Sequence, residues 1–105
     1  MEWYEPLYVS DSMKKKKNRI LWRLNHNAGI LNGFLVTLAI NEVNLLEIYP
    51  MREMKWNHYL RKNLTVVGIT KTYEEAVEMV TAIVDMTYQS LHSSDVRTFL
   101  KENRG

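Results

Sequence analysis

The amino-acid sequence predicts a small α/β (or α+β) domain, with a βαβα core whose two to three strands are covered by three to four helices. Residues 64–70 are a short, uncharged run rich in β-branched side chains, which is typical of a strand buried on both faces, and residues 34–40 are a second apolar run of strand length. Residues 73–91 place apolar side chains on one side of a helix and acidic ones on the other. The alternation of strand and helix indicates a right-handed crossover between the two strands.

Length and composition predict that residues 1–105 form one domain with a single core. Hydrophobic residues make up 46% and charged residues 25%, as in soluble globular proteins, and no apolar run could span a bilayer. We therefore expect no membrane association. The absence of cysteine excludes disulfides and thiolate zinc sites and fits a cytoplasmic location, and the first residues lack the pattern of a secretory signal.

The first third of the chain is predicted to contain a short strand and a helix. Residues 7–9 fit a strand, which Pro6 restricts to its start or to an edge of the sheet. Residues 11–28 fit a helix that follows a capping serine and ends at Gly29. A second interpretation stays open, because residues 19–24 also alternate at period two, as a strand would.

The middle of the chain is predicted to hold the strand at 34–40, a helical turn and a helix. Asn41 or Asn44 begins the turn, and Pro50 interrupts it because proline lacks a backbone donor and clashes with the preceding turn. A helix is expected from about residue 51 to 61.

Residues 64–91 carry the clearest pattern in the sequence. The strand at 64–70 leads into a helix that begins with a capping box, formed by Thr72 and Glu75 three residues later. The apolar side of this helix should pack on the strand, and it consists of Tyr73, Ala76, Val77, Val80, Ile83, Val84, Tyr88 and Leu91.

A final short helix is predicted from Asp95 to about Glu102, with Ser93 or Ser94 as its cap. Two strands make a poor sheet, so a third strand is needed. Residues 6–10, residues 19–25 and a second copy of the chain are the three candidates for it.

Charge is unevenly distributed although the net charge is only +2. Residues 72–95 contain five acids and no Lys or Arg, whereas residues 12–27 contain six basic residues and no acid. The predicted basic patch consists of Lys14, Lys15, Lys16, Arg19 and Arg23. Such a helix attracts phosphate backbones, and Trp3 or Trp22 can stack on bases. A solvated helix face is the simpler interpretation, so nucleic acid is the second choice of partner.

Two further surface sites are predicted. An anion or ligand edge, where strands end and a helix begins, consists of Asn41, Asn44, Thr70, Lys71 and Thr72. Capping of the helix is the simpler explanation of these residues. A partner interface, rich in methionine and aromatic side chains that share no single helix face, consists of Met51, Met54, Trp56 and Tyr59.

No sequence pattern indicates catalysis. The histidines His26, His58 and His92 are not spaced as metal ligands, and no serine lies in a nucleophile motif. We therefore expect no cofactor and no metal, and a small enzyme is the third and least favoured of the functional interpretations. The sequence favours a cytoplasmic binding domain that takes a protein partner or a second copy of itself, in a homodimer. Charge-driven nucleic-acid binding through residues 12–27 is the alternative.

Three segments carry a resemblance to a family. Asn44-Leu45-Leu46-Glu47-Ile48, Val67-Gly68-Ile69 and Tyr73-Glu74-Glu75-Ala76 are spaced in a way that is similar to short proteins of clostridial and related Firmicute bacteria, which have no assigned activity. The resemblance covers about residues 34–90. It implies a bacterial cytoplasmic protein and carries over no functional residue.

Overall fold

Four strands form one mixed sheet in residues 1–40 and 45–104, which are the residues that this computed structural model describes. The strands are β1 (Glu2–Val9), β2 (Phe34–Leu38), β3 (Leu46–Pro50) and β4 (Thr65–Thr70). Their order across the sheet is β1-β4-β2-β3. β1 runs parallel to β4, whereas β2 is antiparallel to both β4 and β3. The predicted α/β class is confirmed.

Four α-helices and two 3-10 segments complete the described part of the chain. The helices are α1 (Lys17–Asn25), α2 (His58–Asn63), α3 (Tyr73–Leu91) and α4 (Val96–Glu102). The first 3-10 segment, Asp11–Lys16, leads into α1, and the second, Met51–Lys55, follows β3. No helix in these residues is long and apolar enough to cross a membrane.

The sheet separates two hydrophobic clusters, one on each face. On the first face, α1 and both 3-10 segments contribute Met13, Ile20, Leu24, Met51 and Met54. On the second face, α3 and α4 contribute Ala76, Ile83, Val96, Phe99 and Leu100. β4 lies between them and is buried from Val66 to Thr70, which explains why its sequence is a continuous apolar run rather than an alternating one.

The sheet corrects the predicted strand count and topology. Residues 2–9 supply the third strand. This confirms the candidate at residues 6–10, although the strand begins earlier than expected. Residues 46–50 form a fourth strand where a helical turn was expected, with Leu38 opposite Leu46 and Val36 opposite Ile48. Because β2 and β4 are antiparallel neighbours, the expected parallel crossover between them is wrong.

Two helical predictions are settled by packing. Residues 17–25 are helical, so the strand interpretation of this segment is wrong: Ile20 and Leu24, one turn apart, are both buried. The helix expected at 51–61 is instead a 3-10 segment followed by the shorter α2. Asn57 separates the two, since its side chain accepts from the amide of Leu60 at 3.0 Å and caps α2.

The two C-terminal helices are confirmed, with two corrections. The capping box of Thr72 and Glu75 is present at the start of α3. The side of α3 that contacts the sheet is centred on Thr87 and Ile83, which are fully buried, whereas Val77 is 41% exposed. The helix is therefore rotated about its own axis relative to the orientation expected from the sequence. Asp95, not a serine, caps α4 through its carboxylate.

Candidate functional site

A row of cations on α1 forms the first part of the candidate site. Met13, Ile20 and Leu24 are buried against the sheet, which fixes the rotation of the 3-10 segment and of α1. Residues three or four positions apart lie on the same side of a helix, so Arg19 and Arg23 are neighbours beside this buried stripe. The apolar packing therefore decides the direction in which these cations point.

Four cations converge on one cleft of about 410 Å³ between α1 and the turn from β4 to α3. Lys16, Arg19 and Arg23 line the cleft from the side of α1, and Lys71 lines it from the turn. Asn32, in the loop before β2, adds an amide. The apolar part of the lining consists of Met13, Ile20 and Leu31.

A smaller pocket of about 180 Å³ continues the cleft toward the end of β3. It shares Leu31, Asn32 and Lys71 with the cleft, and it adds Arg52 from the second 3-10 segment. Within the part of the chain that the structure describes, no Asp or Glu lines either pocket. A concave surface lined by charges of one sign focuses the electrostatic potential and raises the local concentration of counter-ions. The cleft is thus built to attract an anion.

The carboxylate of Glu75, at the start of α3, is already engaged by other groups. It accepts from the amides of Lys71 at 2.9 Å and Thr72 at 3.1 Å, and from the hydroxyl of Ser12 at 3.0 Å. Burial alone would raise the pKa of Glu75, but these hydrogen bonds outweigh it and hold the pKa below its ordinary value. Because the amides are occupied, an anion in the cleft would be held by side chains.

The predicted ligand edge is only partly present at the cleft. Thr70 is buried, and its hydroxyl donates to the carbonyl of Thr72 at 2.9 Å. The hydroxyl of Thr72 caps α3. Asn41 and Asn44 lie outside the described residues. Among the described members of this set, Lys71 is therefore the one that lines the cleft. The sequence alone did not distinguish Lys71 from its neighbours in the capping turn.

Arg23 is held in place by the turn that ends α1. Its Nε donates to the carbonyl of Ala28 at 3.0 Å, and the amide of Ala28 donates to the carbonyl of Arg23 at 2.8 Å. Gly29 follows with φ of +84°, in the left-handed region that glycine adopts without strain. The terminal nitrogens of the guanidinium can then bind a ligand while Nε keeps the side chain in place.

Two residues of the predicted basic patch lie outside the cleft. Lys14 forms a salt bridge with Asp11 at 2.7 Å, and its hydrogen bond and charge hold the pKa of Asp11 below its ordinary value. Lys15 is exposed and lines neither pocket. The patch is thus divided, with Lys16, Arg19 and Arg23 in the cleft and the other two lysines on the open surface.

The predicted partner interface is divided in the same way. Met51 and Met54 are each 1% exposed and belong to the core, so their assignment to an interface is wrong. Trp56 and Tyr59 are 69% and 65% exposed and remain on the surface. The methionines lie in a 3-10 segment, where the spacing of buried residues differs from that of an α-helix, and this is why no single helical stripe was visible.

The histidines hold structural positions. His26 stacks on Trp22, and His92 ends α3 in the left-handed conformation, with φ of 55°. His58 is the first residue of α2. Among residues 1–40 and 45–104, no three His, Asp or Glu side chains are grouped so that they could hold a metal ion.

Comparison with known proteins adds no assignment, since no family model, curated protein or solved structure matches the chain. The chemistry of the cleft is therefore the basis on which a function can be argued.

Proposed function

We propose that this chain is a non-catalytic binding protein that holds the sugar–phosphate backbone of a nucleic acid in its basic cleft. The observation that carries the proposal is that four cations line one concave surface. Lys16, Arg19 and Arg23 lie close together in the sequence, whereas Lys71 is distant from them. Lys and Arg are the side chains that neutralise phosphates, and they release bound counter-ions when they do so.

The concave arrangement favours this proposal over a merely solvated helix face. Cations on a convex face can spread apart into water, whereas four of them line this cleft of about 410 Å³. Like charges that line one concave surface add their positive potential there, and a bound anion is attracted by all of them. Arg52 extends the positive surface through the adjoining pocket, so the site can contact more than one phosphate.

Binding of this kind is expected to be weak and insensitive to sequence. A protein that contacts only phosphates binds with a Kd of roughly 10⁻⁴–10⁻⁶ M at physiological salt, and its affinity falls steeply as salt rises. Fluorescence anisotropy of labelled oligonucleotides at low and high salt measures both properties.

A charge-matched pair of variants tests the location of the site. Replacing Arg19 and Lys71 with Gln removes two cations of the cleft, and replacing Lys62 and Lys101 with Gln removes two exposed cations elsewhere. We expect the first variant to bind at least about tenfold more weakly and to show a shallower salt dependence, whereas the second changes little. Equal losses would mean that net charge alone is responsible. No binding by the parent at low salt would refute the proposal.

A protein partner or a second copy of the chain is the other candidate function, and exposed aromatic residues favour it. Trp56 and Tyr59 lie on one face of the sheet, and Tyr73 and Tyr88 are 54% and 59% exposed on the other. A stable dimer would bury at least about 1,000 Å² in total. Sedimentation at micromolar concentration tests this candidate, because a homodimer has twice the 12.5 kDa mass of one chain. The cytoplasmic location and the bacterial family expected from the sequence stay predictions.

A further inference from the structure

The side chain of Trp22 is large, apolar and open to solvent on α1, the helix that lines one side of the cleft. It is 58% exposed, although Ile20 and Leu24 on the same helix are buried. Covering an exposed aromatic ring of this size removes apolar surface from water, which is favourable. Trp3, the other tryptophan considered for base stacking, is half-buried and its indole nitrogen donates to Asn25 at 2.8 Å. Of these two tryptophans, Trp22 is therefore the one that is available for a ligand.

His26 stacks on the indole of Trp22 and favours one orientation of it. The two rings stack with centroids 4.3 Å apart and planes at 20°. The Nδ1 of His26 donates to the carbonyl of Trp22 at 2.7 Å, which fixes the imidazole in turn. One face of the indole is thus covered by His26, so the exposed area belongs to its edges and its opposite face. A pre-oriented ring loses less conformational entropy when a second ring stacks on it.

The position of Trp22 relates this ring to the cations of the cleft. Arg19 lies three residues earlier on α1, and side chains at this spacing are neighbours on the helix surface. Arg19 also lines the cleft. A nucleotide whose phosphate contacts Arg19 therefore has its base within reach of the indole.

We infer, on the basis of the function proposed above, that the ligand is single-stranded nucleic acid and that one of its bases stacks on the open face of Trp22. In a duplex the bases are already paired and stacked on one another, and only the backbone is offered to the cleft. A single strand offers phosphates to the cations and an unstacked base to the indole. A positively charged groove combined with an aromatic platform is the arrangement that binds single strands without sequence preference.

The matched variants are Trp22→Ala and Trp56→Ala, since both remove an exposed tryptophan and only the first lies on the helix that lines the cleft. The probes are a labelled thymidine oligomer, an abasic oligomer with the same number of phosphates, and a duplex. Loss of one stacked base should lower the affinity of Trp22→Ala for the thymidine oligomer about 5- to 150-fold. Its affinities for the abasic oligomer and for the duplex should stay those of the parent, and Trp56→Ala should bind all three probes as the parent does.

The outcomes separate this inference from the proposed function. If the cleft variant of Arg19 and Lys71 loses affinity but Trp22→Ala does not, the cleft binds phosphates and the stacking inference is wrong. If the parent binds the abasic and thymidine oligomers equally well, stacking is refuted in the same way. If Trp22→Phe restores most of the affinity that Trp22→Ala loses, the ring itself is responsible and the inference is supported.

Discussion

The hydroxyl of Ser12 donates to both carboxylate oxygens of Glu75 at 3.0 Å, and this contact joins the segment before α1 to the first turn of α3. The first of these segments also carries Lys16, and Lys71 lies in the turn just before α3; both side chains line the cleft. Glu75 therefore has two structural roles, since it completes the cap of α3 and connects α3 to the segment that carries Lys16.

The first prediction concerns pH. The pKa of Glu75 is held below its ordinary value in the folded protein, so its contribution to stability is present above that ordinary value and is lost as the pH falls through the folded pKa. Thermal unfolding of the parent and of Glu75→Gln between about pH 3 and pH 6 measures this contribution. The parent should be more stable near pH 6, and the difference between the two should shrink toward pH 3. A difference that is constant over this range would contradict the assignment.

The second prediction concerns the contact between β4 and α3. A Cβ atom at Gly68 would collide with the sulfur of Met79 and lie 3.0 Å from the backbone oxygen of Tyr8. Gly68→Ala should therefore lower the free energy of unfolding by about 1–3 kcal/mol, as overpacking does. Urea denaturation measures the change. Because Met79→Ala removes the sulfur, Gly68→Ala should cost less in that background, and an unchanged cost would place the strain elsewhere.

The third prediction compares two buried threonines. Thr37 is fully buried, and its hydroxyl has no hydrogen-bond partner among the described residues, whereas the hydroxyl of Thr87 donates to the carbonyl of Ile83 at 2.8 Å. Valine has nearly the same shape as threonine. Thr37→Val should be neutral or stabilising by about 1 kcal/mol, because an unsatisfied hydroxyl is removed. Thr87→Val should instead destabilise by about 1 kcal/mol. Equal effects in chemical denaturation would mean that Thr37 has a partner.

The fourth prediction tests which side of α3 faces the sheet. Ile83 is fully buried and Val77 is 41% exposed. Ile83→Ala should cost about 2–5 kcal/mol, because it leaves a cavity in the core. Val77→Ala should cost less than about 1 kcal/mol, as surface substitutions do. The same denaturation experiment measures both, and a larger loss for Val77→Ala would restore the orientation expected from the helical wheel alone.

Elements defined by local patterns were predictable from the sequence. The strand at 64–70, the capping box at Thr72 and the long helix after it depend on residues within one or two turns of each other, so their spacing is visible in the sequence. β3 was not predictable in the same way. Five residues that end in Pro50 are compatible with a strand or a turn, and only pairing with β2 decides between them.

In the candidate site, too, some residues were predictable from the sequence and others were not. Arg19 and Arg23 lie on one helix, so the sequence alone determined that they form a basic surface together. Lys71 joins them only because Met13 and Ile20 pack the first 3-10 segment and α1 on the sheet next to the end of β4. Likewise, the burial of Met51 and Met54 follows from their contacts in this core. Local periodicity reports the neighbours of a residue along its own helix, whereas a cleft is made by packing between elements, and that packing is decided by the tertiary structure.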